Sequence, residues 1–522
     1  MCRCLPAKIS QQHGIAVLVL VIFIAMTAIT YFLIEISPEE IKHHQAVSTS
    51  KALSRAKDAL IAYAVSRGEI ATPTAQPGRL GYLPCPADYN GEGNSVGTCG
   101  VRNEATIGWF PWRSLGLPPL MDESGTCLLY AVSGSYKFSP SAYMLNEDAY
   151  GMFQVVDESF NIVQGANPED RIVAIVFAAG KTLPGQSRNY NVGTQCGDDI
   201  NNFDAYLDTY VDLPGTIDNS DVTTGLEDRV DQFIHATAES MSDDAAKPHN
   251  DRFVTITRDE IWPAIMRRDE FDASSTTGNS KVRRVTEALA RCLAQYGNDN
   301  DNSRLPYPAP FNLNGNDYRV SDNYDDAAAV AGGQHFGRFP YKVDSSDSVI
   351  PGAIAGNELF DKSFTPPPVH PPPNDIRECD DLPILFPAGP NADLKTAASE
   401  DRIYWENRKD HYFYAVSNSY RPNSFPPDDS AGAPRCGNCI TVNGIQYAAA
   451  VIYSGEKLMA PVVQTREAPI APTDTLDTKM NPINYVEIPG ALGNGMGNYN
   501  SSGNDVMFCI TDTEPLDVVA CP

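Results

Sequence analysis

The feature that most constrains this chain is that its body is written twice. Leu83-Pro-Cys-Pro-Ala87 is echoed by Leu305-Pro-Tyr-Pro-Ala309, and Gly108-Trp-Phe-Pro-Trp112 by Gly337-Arg-Phe-Pro-Tyr341. Tyr130-Ala-Val-Ser-Gly-Ser-Tyr136 is echoed by Tyr414-Ala-Val-Ser-Asn-Ser-Tyr420. Further on, Ile172 to Gly180 corresponds to Ala448 to Gly455, and Gln186-Ser-Arg188 to Gln464-Thr-Arg466. Ala205-Tyr-Leu-Asp208 corresponds to Asn484-Tyr-Val-Glu487, and Asn250-Asp251 before FVTIT to Asn504-Asp505 before MFCIT. The order is kept throughout, so one structural unit recurs in tandem. Each copy opens with helical periodicity. From Ala52, ALSRAKDALIAYAVSRG sets Leu53, Ala56, Leu60 and Tyr63 or Ala64 on one face and ends at Gly68, a natural helix stop. In the second copy Lys281 to Tyr296 plays that part. Cys127 to Ser133, Ile172 to Phe177, Tyr447 to Tyr453 and Phe253 to Thr257 read as short strands bounded by Gly, Pro or Asp. Val173 to Phe177 and Ala449 to Tyr453 are apolar throughout and are expected at sheet centres.

Charge narrows the partners. The 522 residues carry a net charge of -27, and the only basic residues of the leader are Arg3 and Lys8. A field of that sign repels phosphate, so no nucleic-acid partner is expected. Cys2 and Cys4 precede the first apolar stretch; the other ten cysteines follow it: Cys85, Cys99, Cys127, Cys196, Cys292, Cys379, Cys436, Cys439, Cys509 and Cys521. An even set in an exported body reads as disulfides. Cys436-Gly-Asn-Cys439 has redox-motif spacing, but it runs into Ile440-Thr-Val, a strand rather than a helix, which favours a structural bridge.

The first apolar stretch, Ile15 to Ile34, is twenty residues without charge, Pro or Gly. As a helix it measures about 30 Å, the thickness of a bilayer core. Arg3 and Lys8 ahead of it place the N-terminus in the cytoplasm and the body outside. The run ends without an A-x-A-like cleavage site. Ser37-Pro38-Glu39-Glu40 then starts a second helical segment: Ser as N-cap, Pro at the first position, Glu three after the cap.

A polar leader ending in Gly14, followed by an apolar helix from Ile15, resembles the type IV prepilins and type II secretion pseudopilins. The resemblance implies cleavage between Gly14 and Ile15 by a prepilin peptidase, methylation of the new N-terminus, and packing of the apolar helix into a filament core. Shaft subunits of that family carry Glu at the fifth mature position. Here that position is Val19, as in minor subunits at a filament tip. The expected fold is α+β: a long N-terminal membrane-spanning α-helix followed by two tandem pilin-like modules with antiparallel sheets. Residues 1–14 form the leader, 15–68 the helix (span 15–34, amphipathic extension 38–67), and 69–271 the first head module. A linker, 272–280, leads to the second module, 281–522, which carries a Pro-rich insertion, 342–413. The membrane and filament core would be lined by residues such as Ile15, Val19 and Ile34, with a bend at Pro38.

The resemblance implies a minor pilin or pseudopilin that initiates or caps a filament or presents a binding surface. Its partners would be other pilin subunits, the prepilin peptidase and the bacterial inner membrane, with the body periplasmic. The alternative is a static single-pass inner-membrane protein with a disulfide-bonded, ligand-binding body. No H-E-x-x-H, G-x-S-x-G or P-loop pattern is present, so no enzyme is expected. No cofactor is called for. Asp88, Asn90, Glu92 and Asn94 alternate with Gly or Tyr as calcium-loop oxygens do, and a solvated turn is the competing reading. Thr365-Pro-Pro-Pro-Val-His-Pro-Pro-Pro373 reads as a stiff polyproline spacer.

Overall fold

The computed structural model describes residues 18–27, 38–66, 80–87, 92–139, 144–188, 203–212, 215–222, 230–235, 249–268, 271, 280–298, 304–326, 335–343, 357–358, 400–421, 436–458, 463–466, 477–487, 498–500 and 503–522. A helix over 18–27 (α1) comes first, then α2 (Pro38–Ser66). The first half adds strands β1 (Thr106–Trp109), β2 (Leu129–Val132), β3 (Phe153–Val156), β4 (Ile162–Gln164) and β5 (Ile172–Ala178). It continues with β6 (Thr209–Asp212), β7 (Gly215–Asp218), β8 (Asp231–Ile234), β9 (Arg252–Thr257) and helix α3 (Arg258–Met266). The second half opens on α4 (Lys281–Asn298), then β10 (Phe336–Arg338), β11 (Lys342–Val343), β12 (Asn357–Glu358), helix α5 (Glu400–Arg408) and β13 (Tyr412–Val416). It closes with β14 (Ile440–Val442), β15 (Ile445–Tyr447), β16 (Ala449–Tyr453), the turn α6 (Asp477–Met480), β17 (Asn498–Tyr499), β18 (Val506–Ile510) and β19 (Val518–Ala520).

The two halves build the same antiparallel centre. In the first, β1, β2, β5 and β9 lie side by side; in the second, β10, β13, β16 and β18 do. All seven residues of β5 and all five of β16 are buried, because each has a strand on both edges and packing on both faces. Helix α2 crosses β5 and β9, and α4 crosses β16 and β18. Leu53, Ala56, Leu60 and Ala64 of α2 and Val285, Leu289, Cys292 and Leu293 of α4 enter one core that runs through both halves. The opposite sheet faces are covered separately, by Tyr206 and Phe233 in the first half and by Ile440 and Tyr485 in the second.

The expected fold needs two corrections. Among the described residues no helix is long and apolar enough to cross a membrane. The described apolar helix covers only 18–27, a rise of about 15 Å, half of a bilayer core. Its successor α2 carries Glu39, Glu40, Lys42, Lys51, Arg55, Lys57 and Asp58, whose charges bar it from hydrocarbon. Nor are there simply two antiparallel sheets. The structure is mixed α/β, with five sheets among the described residues, and β3–β8 and β14–β17 pair in parallel.

An arginine clamp, buried in the second half and half-buried in the first, explains why Gln-x-Arg recurs. Arg188 donates from Nη1 to the Gly180 carbonyl (2.7 Å) and from Nε to that of Ala205 (3.0 Å). Arg466 repeats both, to Gly455 (2.7 Å) and Asn484 (2.8 Å). Each clamp ties the end of a central strand to the loop beyond it, satisfying carbonyls that the sheet leaves open.

Candidate functional sites: an uncovered helix and a buried charged seam

Helix α1 stands apart from the rest. Leu18, Val19, Leu20, Val21, Ile22, Phe23, Ile24 and Met26 are all exposed, Phe23 to 65%. Consecutive residues point in every direction around a helix, so the whole circumference is apolar and uncovered by the chain's own body. Val19 therefore offers an uncharged contact surface. Gly14, Ile15 and Ile34 lie outside the described residues, and Pro38 is the first residue of α2.

Three bridges of the body close short loops. Cys85 bonds Cys99, Cys436 bonds Cys439, and Cys509 bonds Cys521; Cys127 and Cys292 are disulfide-bonded as well. Cys196 and Cys379 lie outside the described residues. Of the calcium candidates, Asp88 and Asn90 also lie outside them, while Glu92 and Asn94 are exposed. Glu92 faces the Arg113 guanidinium at 3.6 Å rather than converging with another carboxylate.

The densest polar chemistry lies where the two halves meet. Asn146, Glu147 and Asp148 precede β3, and Asn407, Arg408, Asp410 and His411 precede β13. Asn146 Nδ2 donates to Asp410 Oδ1 (2.9 Å), and the Leu145 backbone N–H donates to Asn407 Oδ1 (2.9 Å). Lys479 Nζ reaches Asp410 Oδ2 (2.7 Å) and the Tyr485 hydroxyl (3.1 Å). Arg408 Nε lies 3.3 Å from Glu147 Oε2, and its guanidinium sits over the Tyr404 and Trp262 rings. Arg338 directs donors at the Phe311, Asp410 and Lys479 carbonyls. Burial by itself raises a carboxyl's pKa. Burial is the largest single influence on both Asp148 and Asp410, but it is outweighed at Asp148 by His411, Arg466 and Lys479 together, and at Asp410 by Lys479 and His411 together, so both are held below the ordinary carboxylate range.

His411 is the hinge of this seam. Its Nδ1 shares a hydrogen bond with Ser454 Oγ (3.1 Å), and its Nε2 lies 3.1 Å from Asp148 Oδ2 and 3.8 Å from Asp410 Oδ1. Serine, histidine and aspartate in a row suggest a nucleophile, base and orienting acid. Yet Ser454 and His411 are 0% exposed and Asp148 4%, so the hydroxyl does not face solvent. The sequence patterns above missed this seam. Its trace is a charged run, Asn407-Arg-Lys-Asp-His411, set directly against the apolar strand YFYAV.

A second buried acidic feature repeats in both halves. The Asp208 backbone N–H donates to Asp251 Oδ2 (2.7 Å), and the Glu487 backbone N–H to Asp505 Oδ2 (2.9 Å). Burial, then the neighbouring Asp208, pushes Asp251 well above the ordinary range; burial pushes Asp505 up to about 6.

No family model, curated protein or solved structure matches this chain.

Proposed function

We propose that this protein is a minor, pilin-like subunit seated at the end of a type IV pilus or type II secretion-type filament, with α1 as its contact to neighbouring subunits. One observation carries the reading: α1 is apolar around its whole circumference and uncovered by the chain's own body. In water, about 25 cal/mol per Å² of such surface favours burial. Burial between the helices of other subunits would remove that surface from water. Val19 brings no carboxylate to that contact, and the doubled, disulfide-bonded body is bulky for a closely packed shaft. Both features support a terminal position in an oxidising compartment. Processing between Gly14 and Ile15 belongs to the same reading. Co-expression with a prepilin peptidase, followed by mass spectrometry of the mature N-terminus, tests it. N-methylated Ile15 supports the proposal, and an intact Met1 in the presence of active peptidase sinks it.

A further inference from the structure

We propose that the seam between the two halves holds a divalent transition-metal ion, zinc or a similar first-row ion, bound by His411 Nε2, Asp148 Oδ2 and Asp410 Oδ1. These three atoms lie within 4.8 Å of one another, and all three residues are buried. Ligand count and type suit an ion that takes nitrogen and oxygen donors. A second observation points the same way. Asp148 Oδ2 and His411 Nε2 are buried and pair at 3.1 Å without a well-aligned N–H···O geometry. An imidazolium paired with a carboxylate would align its N–H on the oxygen. Two unaligned donor atoms about 3 Å apart are instead placed as neighbours on one ion, each roughly 2 Å from it.

The surroundings fit that role. His411 Nδ1 is engaged by Ser454 Oγ, which fixes the ring and turns Nε2 toward the carboxylates. Asp410 is oriented by Lys479 on Oδ2 and by Asn146 on Oδ1, so a carboxylate lone pair on Oδ1 serves the ion. The carboxylates Glu147, Asp148 and Asp410 lie among the cations Arg408 and Lys479, which are ion-paired, and the buried Arg338 and Arg466, so the ion would sit where both signs of charge converge. The ion would join a ligand from the first half to two from the second, locking the halves together. Because the ligands are buried, loading accompanies folding.

The test is the full chain, produced in zinc- or cobalt-supplemented cells and purified in a mild detergent that covers α1. About one metal per chain by elemental analysis is expected, with cobalt showing ligand-field bands of nitrogen and oxygen ligation and no thiolate charge-transfer band. His411→Gln and Asp148→Asn should lose the metal. Ser454→Ala should weaken binding about 10- to 100-fold, as the loss of a supporting hydrogen bond does elsewhere. A folded wild-type chain without metal, a thiolate-type cobalt spectrum, or full retention of metal in His411→Gln would each overturn the assignment. Should either ligand variant fail to fold, the wild-type metal content and cobalt spectrum decide alone.

Discussion

The two halves of the body share a sheet centre but close it differently. In the second half the outer edge of β18 is covered by β19, with Cys509 opposite Val519 and a Cys509–Cys521 bridge stapling the strand in place. In the first half, side chains meet the backbone of β9. Lys57 Nζ donates to the Thr255 carbonyl (2.8 Å), and the Thr257 N–H donates to Glu260 Oε2 (3.0 Å). Lys57 and Glu260 also pair with each other at 2.5 Å. Both devices keep a row of backbone groups from recruiting a foreign strand. One fold pattern thus tolerates two edge solutions, whereas the arginine clamp behind the central strand is kept.

The same contrast governs where substitutions should hurt. The largest effect is expected at the seam. Lys479→Met leaves Asp410 charged, buried and without its cation, at a cost of about 3–5 kcal/mol, read as a loss of unfolding free energy in denaturant. An unchanged midpoint would show that the seam is not part of the cooperative core. Next come the clamps. Arg466 is 1% exposed, so Arg466→Ala should cost about 3 kcal/mol, because orphaned carbonyls there gain no water. Its counterpart Arg188 is only half-buried, and Arg188→Ala should cost roughly 1 kcal/mol. Equal losses would remove burial as the distinction between the halves.

Acidity separates the regions further. Asp148 and Asp410 sit below their ordinary pKa, so they stabilise the seam above the unfolded carboxylate range and lose that contribution as pH falls through their folded values. Asp505 is pushed up to about 6, so its contribution is full below the unfolded carboxylate value and is lost as pH rises through about 6. Asp505→Asn should therefore flatten the stability change between pH 5 and pH 7, to be checked by denaturant titration at both; an unaltered slope would contradict the assignment. The smallest effect belongs to the exposed turn. Glu92→Gln removes one partner of a solvated pair with Arg113 and should shift stability by less than about 0.5 kcal/mol, measured in the same titration.

What the sequence revealed follows from which forces act locally. The helical face Leu53–Ala56–Leu60 and the apolar runs of β5 and β16 are periodic or uniform, so burial can be read from spacing; between Tyr63 and Ala64, which spacing leaves open, the structure buries Ala64. The seam could not be read that way. Asp148 and His411 are 263 positions apart by subtraction, and only the packing of one half on the other brings them within 3.1 Å. The C-terminal part of the stretch expected as a Pro-rich insertion likewise holds α5 and the buried Tyr404, Trp405, Asp410 and His411. At the N-terminus the twenty apolar residues satisfy the arithmetic of a membrane span, but only 18–27 of them are among the described residues, and among those no helix is long and apolar enough to cross a membrane.

The role of α1 is tested most directly by a photocrosslinker at its most exposed large apolar residue, Phe23→benzoylphenylalanine, in cells that assemble the filament. The account predicts a covalent adduct to another filament subunit, with the crosslinked chain confined to filament ends. An adduct only to lipid or to the protein's own body, with filaments fully assembled, would contradict it.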